Sequence, residues 1–548
     1  MLNALAYDSW ILHALIWLPL LGAIHVLWAA EDRAKHLALR WSLLVFVLSV
    51  GLWWAYDPAG GGGYQLASSW AWIDEWGVSY ALGLDGISLF MVMLTAFTTP
   101  LAILGSFNYI EKRQKPFYAL MLLLEVGVIG VFTATDLFLF YMFFELTLVP
   151  MYFIIGIWGG ERRIYAAIKF FLYTAVGSLL MLVGILYIYA RGKALLGVAS
   201  FAFADLLQIP LTPTEQFWLF GAFALAFAIK VPIFPFHTWL PDAHVEAPTP
   251  GSVVLAAVLL KMGTYGFVRF LLPFFPVAAQ DPTVVTVMLT LGVVGIIYAS
   301  WVAAVQPDAK KLVAYTSVAH MGFVILGIFA LNPNGLQGGL LVMVSHGIST
   351  AALFIIIGML YERRHTRLIA DFGGIGRVAP WLTTAFVITA LTSIGLPGTS
   401  GFVGEFLTLI GTFEYHPGVG IFAASGVIFA AYYMLPMVQS VFFNALDKPE
   451  NRAVQDLSRR EMTILAPMIA LMIVIGVHPS PLLRRMEPSV QMVLERVRAA
   501  APSRAALVES GLEEWVASEE FVVGEESVAS EDPVDVLDRA GQGAETVE

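Results

Sequence analysis

Cysteine is absent from all 548 residues. That excludes disulfides, cysteine-held iron–sulfur clusters and thiolate metal sites within the chain. Charge is scarce too: Asp, Glu, Lys and Arg together make up 13%, against roughly 25% in soluble domains. A chain this poor in charge cannot clothe a water-soluble fold of this length. No stripe of Lys and Arg follows a nucleic-acid backbone. No basic segment precedes the first apolar run, where Asp8 stands instead, so that run is read as a spanning helix and not as a cleavable leader.

Apolar residues make up 58% of the chain. Reading apolar runs between polar breaks gives about fourteen spans of roughly 18–25 residues, the first at 11–30 and the last at 461–478. Connections alternate in charge. One set carries Arg33, Lys35 and Arg40; Lys112, Arg113 and Lys115; Arg162 and Arg163; Lys310 and Lys311; Arg363, Arg364 and Arg367; Lys448, Arg452, Arg459 and Arg460. The other set holds little that is basic beyond Arg191 and Lys193. Basic loops stay in the cytoplasm, which puts both termini on the external side of a bacterial cytoplasmic membrane. The segment "YQLASSWAWIDEWGVSYALGLDG" alternates and is rich in Trp. It reads either as an interfacial hairpin or as a packed surface loop. The net charge of −11 comes mostly from the last 65 or so residues, an acidic stretch with few aromatics that reads as a mobile appendage.

Two short stretches recur at nearly one offset. "YFIIGIW" from Tyr152 matches "FVILGIF" from Phe323, and "VGILY" from Val183 matches "IGMLY" from Ile357. The spacing implies a duplicated unit of about five spans, and an odd number of helices inverts the second copy in the membrane. The expected fold is therefore an all-α polytopic membrane protein with about fourteen transmembrane helices, two inverted five-helix repeats and two broken helices. Its expected segments are a three-helix N-terminal part with the hairpin (1–110), the first repeat (111–275), the second repeat (276–447), a last span (448–480) and the acidic external tail (481–548).

The breaks coincide with charge. "FAIKVPIFPF" sets Lys230 beside Pro232 and Pro235, and "SIGLPGTSGFVGEFL" sets Gly395, Pro397 and Gly398 ahead of Glu405. Broken helices at matching places in two inverted halves mark a transport site, because freed backbone groups are tolerable only beside a hydrated cavity. Near mid-span lie Glu145, Lys230, Lys261, His320, His346 and Glu405. Buried ionisable groups of this kind face the bundle interior and serve ion paths; the bland alternative is a paired or neutral residue that joins helices. As acid, base and shuttle in alternation they suit proton transfer, with a carboxylate at Glu145 holding the proton on Lys230. Glu125 is mid-span without an obvious partner, either on the path or structural. Lys169 and Arg269 lie nearer span ends and are expected to snorkel. His237 and His244, with Asp242 and Glu246, read as a proton funnel, as hydrogen bonds that brace the connection, or as a metal site of no standard spacing. A haem held between His320 and His346 is a further option.

The stretches "KVPIFPFHTWLPDAHVEAPTPGSVVLAAVLLKMGTYG" and "DLFLFYMFFELTLVPMYFIIGIWGGERRIYAAIKFFLYT" resemble the antiporter-like subunits of respiratory complex I and of multisubunit cation/proton antiporters. The second resembles the M-type branch, and the similarity runs from about residue 80 to 480. The resemblance implies a proton-translocating membrane subunit of an NADH:quinone oxidoreductase, driven at a distance by quinone reduction. It implies Glu145 and Lys230 as a modulating pair, Lys261 as the central relay lysine, His320 and His346 as bridges and Glu405 as the terminal carboxylate. It places no cofactor in this chain; flavin, iron–sulfur clusters and quinone belong to partner subunits, with antiporter-like neighbours on both sides. Two competing readings are a subunit of a cation/proton antiporter and a membrane scaffold that moves no ions.

Overall fold

Polar side chains set where several of the helices begin. The computed structural model describes residues 6–197 and 199–500. Among these, twelve helices are long and apolar enough to cross a membrane: α1 (Tyr7–Trp28), α2 (Glu31–Ala55), α3 (Ser88–Gly105), α4 (Gln114–Thr133), α5 (Leu137–Trp158), α6 (Arg163–Leu195), α9 (Thr249–Phe274), α10 (Pro282–Ala304), α11 (Ala309–Phe329), α12 (Pro333–Arg364), α15 (Pro417–Phe443) and α16 (Arg459–Val477). Between them lie α7 (Pro213–Lys230), α8 (Trp239–Glu246), α13 (Pro380–Ile394) and α14 (Ser400–Tyr415), and α17 (Ser480–Ala499) follows. Asp136, Asp281, Asp308 and Asn332 each accept backbone N–H bonds at a helix start, and Thr212–Glu215 and Ser458–Glu461 form capping boxes. Each cap contributes about 0.5–2 kcal/mol by satisfying donors that lipid cannot.

The two interrupted segments are the ones that carry proline and glycine within an apolar run. α7 ends at Lys230 because Pro232 and Pro235 bring no N–H, and the chain resumes as α8. α13 ends at Gly395, whose φ of +87° suits only a residue without Cβ. α14 begins five residues later. A subtler break lies in α5, where Pro150 cannot donate to the Leu146 carbonyl and the helix loosens at Thr147, beside Glu145.

Burial is graded across the bundle. The most apolar stretches of α9 and α12 are 100% buried and that of α11 is 94% buried, against 28–44% for α1, α2, α6, α10, α15 and α16. The helices most shielded from lipid are those that bear Lys261, His346 and His320. α12 and α14 meet at a glycine seam: a Cβ on Gly404 would stand 2.7 Å from the Val342 nitrogen, and one on Gly411 2.2 Å from that of Gly335. Such close backbone approach is how spanning helices gain dispersion energy without a hydrophobic drive.

The Trp-rich segment forms an antiparallel hairpin, β1 (Gln65–Ile73) with β2 (Val78–Leu84). Trp70 stacks on His13 of α1 at 4.3 Å. The stretch expected as an acidic tail from 481 onward begins differently: residues 480–499 are the helix α17. Its Met486, Val490, Val493, Leu494 and Val497 recur at helical spacing and are buried, while Arg496 donates to the Pro273 and Leu207 carbonyls at 2.9 and 2.5 Å. The acidic appendage itself, 501–548, lies outside the described residues.

Candidate proton path

The row of ionisable residues is assembled from one side chain per helix. On α9 a π-helical turn at Leu255–Leu259 widens the backbone just before Lys261, a distortion common at functional sites. Lys261, fully buried, donates to the Ala256 carbonyl within that turn at 2.5 Å and to His346 Nδ1 on α12 at 2.6 Å. Accepting at Nδ1 leaves the proton of a neutral His346 on Nε2, which is buried and has no partner among the described residues. The His320 ring on α11 lies 5.4 Å from that of His346, centroid to centroid, at 61°. His320 Nδ1 meets Glu405 Oε1 on α14 at 2.8 Å, and its Nε2 meets the Ser393 hydroxyl on α13 at 3.1 Å. Lys261, His346, His320 and Glu405 thus stand in one row from the centre of the bundle to the second break.

Gly395 keeps the end of that row open. A Cβ there would stand 3.0 Å from Glu405 Oε2, in a backbone conformation that already disfavours a side chain. Gly395→Ala is expected to displace Glu405 from His320 and lower proton flux several-fold with assembly retained, measured as pumping rate per unit of assembled complex.

The first pair is arranged differently from the sequence expectation. Lys230 is buried, but no ion pair joins it to Glu145 among the described residues. Its ammonium points to the Thr147 hydroxyl at 3.5 Å and lies over the Phe144 and Phe170 rings at 4.9 and 5.8 Å. Glu145 is half-buried and its Oε1 has no partner. The break in α5 at Thr147 sets a hydroxyl, and not the Glu145 carboxylate, against the ammonium. Glu125 is 1% exposed, with neither carboxylate oxygen partnered.

Two residues expected to snorkel do not. Lys169 pairs with Asp242 of α8 at 2.7 Å, which pins that short helix to α6. Arg269 is buried in an ion pair with Asp85, its guanidinium 4.6 Å from the Tyr64 ring centroid. A carboxylate in the turn before α3 draws the guanidinium inward, which span position alone does not reveal. His237, His244, Asp242 and Glu246 do not converge on one point. His244 stacks on Phe354 at 4.5 Å with both nitrogens unpartnered, and Glu246 accepts the Arg162 N–H at 2.9 Å. Among the described residues no group of three or more His, Asp or Glu is placed to hold a metal ion. His320 and His346 are too close for a porphyrin to lie between them.

Lys310, read from sequence as a loop cation, is buried and donates to the Ala247 carbonyl at 2.6 Å. It forms the inner wall of a vestibule of about 370 Å³ lined also by Arg162, Glu246, Asp308, Tyr361 and Arg367. The vestibule includes Thr249, the first residue of α9, which leads to Lys261. Thr147, Ser393 and Lys310 escaped the sequence reading. A hydroxyl in an apolar run was the one available signal for the first two, and it is shared with many threonines that merely bond their own helix, such as Thr95 and Thr99.

This arrangement of buried Lys, His and Glu on broken and widened helices defines a membrane subunit of the antiporter-like class. Residues 134–431 match the family described as NADH:quinone oxidoreductase/Mrp antiporter, TM, and residues 64–130 match NADH-ubiquinone oxidoreductase chain 4, amino terminus. NADH-quinone oxidoreductase subunit M of Rhodobacter capsulatus is 48% identical over 478 residues, covering 86% of this chain and 92% of that protein. Subunit M of Rickettsia prowazekii (strain Madrid E) is 43% identical, covering 87% and 97%. A chain of respiratory complex I from Thermus thermophilus superposes with a TM-score of 0.82 at 34% identity, covering 89% of this chain and 99% of that one. A chain of the Mrp complex from Dietzia sp. DQ12-45-1b shares the fold, with a TM-score of 0.75 at 21% identity and coverage of 89% and 99%. The chain belongs to the NADH:quinone oxidoreductase/Mrp antiporter membrane-subunit family, on its subunit M (chain 4) branch.

Proposed function

We propose that this chain is the proton-translocating M-type subunit of a bacterial NADH:quinone oxidoreductase, set among other membrane subunits of that complex. Redox centres belong to its partners. The observation that carries this reading is the buried row Lys261–His346–His320–Glu405, whose first three members stand on the helices most shielded from lipid. Polar atoms without protein partners cluster on it: His346 Nε2, Thr350 Oγ1 and Thr408 Oγ1, with His244 on the vestibule side. Orphaned buried polar groups call for water, and water is what a proton route needs.

The chemistry follows from the donors and acceptors. Protons enter at the vestibule by Asp308 and Lys310 and reach Lys261 past His244. Lys261 gives a proton to His346 Nδ1, and the imidazole releases its own from Nε2. The ring of His320 takes up a proton at Nε2, by way of the Ser393 hydroxyl and one water, and releases another from Nδ1 to Glu405. Glu145 acts on Lys230 through the Thr147 turn: when the carboxylate swings toward the ammonium it holds the proton there, and when it swings away desolvation favours release.

Residues 111–275 and 276–447 are in this reading two inverted copies. Three pairings support it. The π-helical turns Phe267–Leu271 and Gln439–Phe443 are 172 residues apart (267 to 439), and the contact Thr147–Lys230 maps onto His320–Glu405 at offsets of 173 (147 to 320) and 175 (230 to 405). Each half then places one hydrogen-bonding partner against the ionisable residue at its broken helix. Both termini lie on the external side, opposite the vestibule that gathers Arg162, Lys310 and Arg367.

The test is proton pumping by the assembled complex in vesicles with Lys230→Ala. We expect pumping to fall by about tenfold or more, less than the ~10²-fold or greater contribution of a group directly on the path because Lys230 acts by modulation, with assembly intact. A scaffold role predicts wild-type pumping. Co-purified subunits with flavin and iron–sulfur clusters separate this reading from a cation/proton antiporter.

A further inference from the structure

A second cavity lies away from the proton path, between the N-terminal helices and the second half. It has a volume of about 520 Å³ and is lined by α2, α3, α12 and α16 and by the start of α17, including Trp53, Phe97, Ile348, Ala470, Leu471 and Leu482. Every lining side chain is apolar. The volume falls within the roughly 300–1,000 Å³ of small-ligand sites. Left empty, such a slot would deprive its lining of dispersion contacts, so a hydrocarbon occupant is favoured.

One end of the slot is positive. Arg485 lies 3.8 Å from the ring centroid of Trp53, which lines the slot, and donates to the Trp53 and Pro481 carbonyls at 3.3 and 3.2 Å. Its Nε is buried and has no partner. Arg484 beside it is exposed and enters no ion pair among the described residues, and neither does Glu487 one turn on. The positive end of the 20-residue helix α17 points to the same place, since Leu482 both lines the slot and lies in its first turn. An apolar slot capped by guanidinium groups and a helix N-terminus is complementary to an amphiphile with a negative head. An isoprenoid tail would satisfy the slot but leave the arginines unused.

We infer that this slot holds one acyl chain of an anionic phospholipid, with the phosphate at Arg485 and the start of α17. The lipid then acts as a fixed part of the joint between the N-terminal helices and α16.

The test uses the assembled wild-type complex in vesicles containing phosphatidylglycerol with a photoactivatable diazirine on one acyl chain. A parallel sample carries the same chain on phosphatidylcholine. After illumination, peptide mass spectrometry is expected to find labels at residues 90–97 and 467–475 about fivefold above the phosphatidylcholine sample, the ratio that ~1 kcal/mol per basic residue near a membrane surface gives. Labelling there should also exceed labelling on the lipid-facing side of α6. Ala470→Trp, which fills the slot, should remove the excess, and Arg485→Gln should bring the headgroup ratio toward one. Equal labelling by both lipids, labelling no greater than on α6, an excess that survives Ala470→Trp, or displacement of the label by an isoprenoid quinone at equal mole fraction would overturn the assignment.

Discussion

Lys261→Ala is expected to cut NADH-driven proton uptake into vesicles about a hundredfold or more, at the low end of the 10²–10⁴ that a positioned proton-transfer group contributes. The size of the effect follows from geometry. Lys261 is the sole described donor to His346 Nδ1, and its other bond, to Ala256, is made by a carbonyl that cannot carry a proton onward. Removing the amine leaves a gap in the row on one of the two most buried helices of the bundle. Lys261→Arg separates charge from proton release. A guanidinium keeps the positive charge and the hydrogen bonds but stays protonated in any protein environment, so this variant should pump as poorly as Lys261→Ala. Restored pumping in Lys261→Arg would mean that the residue works as a fixed charge, and the relay would have to be abandoned. Pumping is to be normalised to electron flux through the same preparation, which a loss of assembly lowers and a blocked path need not.

The largest stability effect belongs to Asp85 and Arg269. Both are buried, and each is the other's ion-pair partner. Removing one leaves an uncompensated charge in a dry site, at a cost of about 3–5 kcal/mol. Asp85→Ala or Arg269→Met should therefore lower the thermal midpoint of the detergent-solubilised complex markedly or prevent this subunit from assembling. The double variant should lose much less than the two single losses combined, because no lone charge remains. Additive losses would show that Asp85 matters through its bonds to the Ile87 and Ser88 amides at 3.1 and 2.8 Å rather than through Arg269.

How far the sequence reaches is clear from particular residues. Pro232, Pro235, Pro397 and Gly395 announce the two breaks because their backbone restrictions are local and need no tertiary context. The six ionisable residues are legible for a similar reason: the cost of each in an apolar run is a property of the run. What remained hidden was direction. Lys169 and Arg269 sit near span ends, where reaching outward and pairing inward cost similar amounts, and only the positions of Asp242 and Asp85 decide. That Lys230 meets Thr147 and not Glu145 is visible only once α5, α6 and α7 are packed. The π-helical turns carry no composition of their own, although one of them sets the height of Lys261. Residues 480–499 were misread because net charge over a long window masked an amphipathic period within it.

That last helix constrains how the molecule can move. α17 is tied by Arg496 to Leu207 and Pro273 in the first half, by its Val497 carbonyl to Gln280 of the second half at 2.6 Å, by Ser489 to the Gly62 carbonyl at 3.2 Å, and by Arg485 to Trp53. A strap fastened at so many separate points resists the rocking of one half against the other by which many inverted-repeat carriers alternate their openings. Switching between the two membrane faces must then be carried by rotating side chains and by rewetting of short gaps, while the backbone frame stays still.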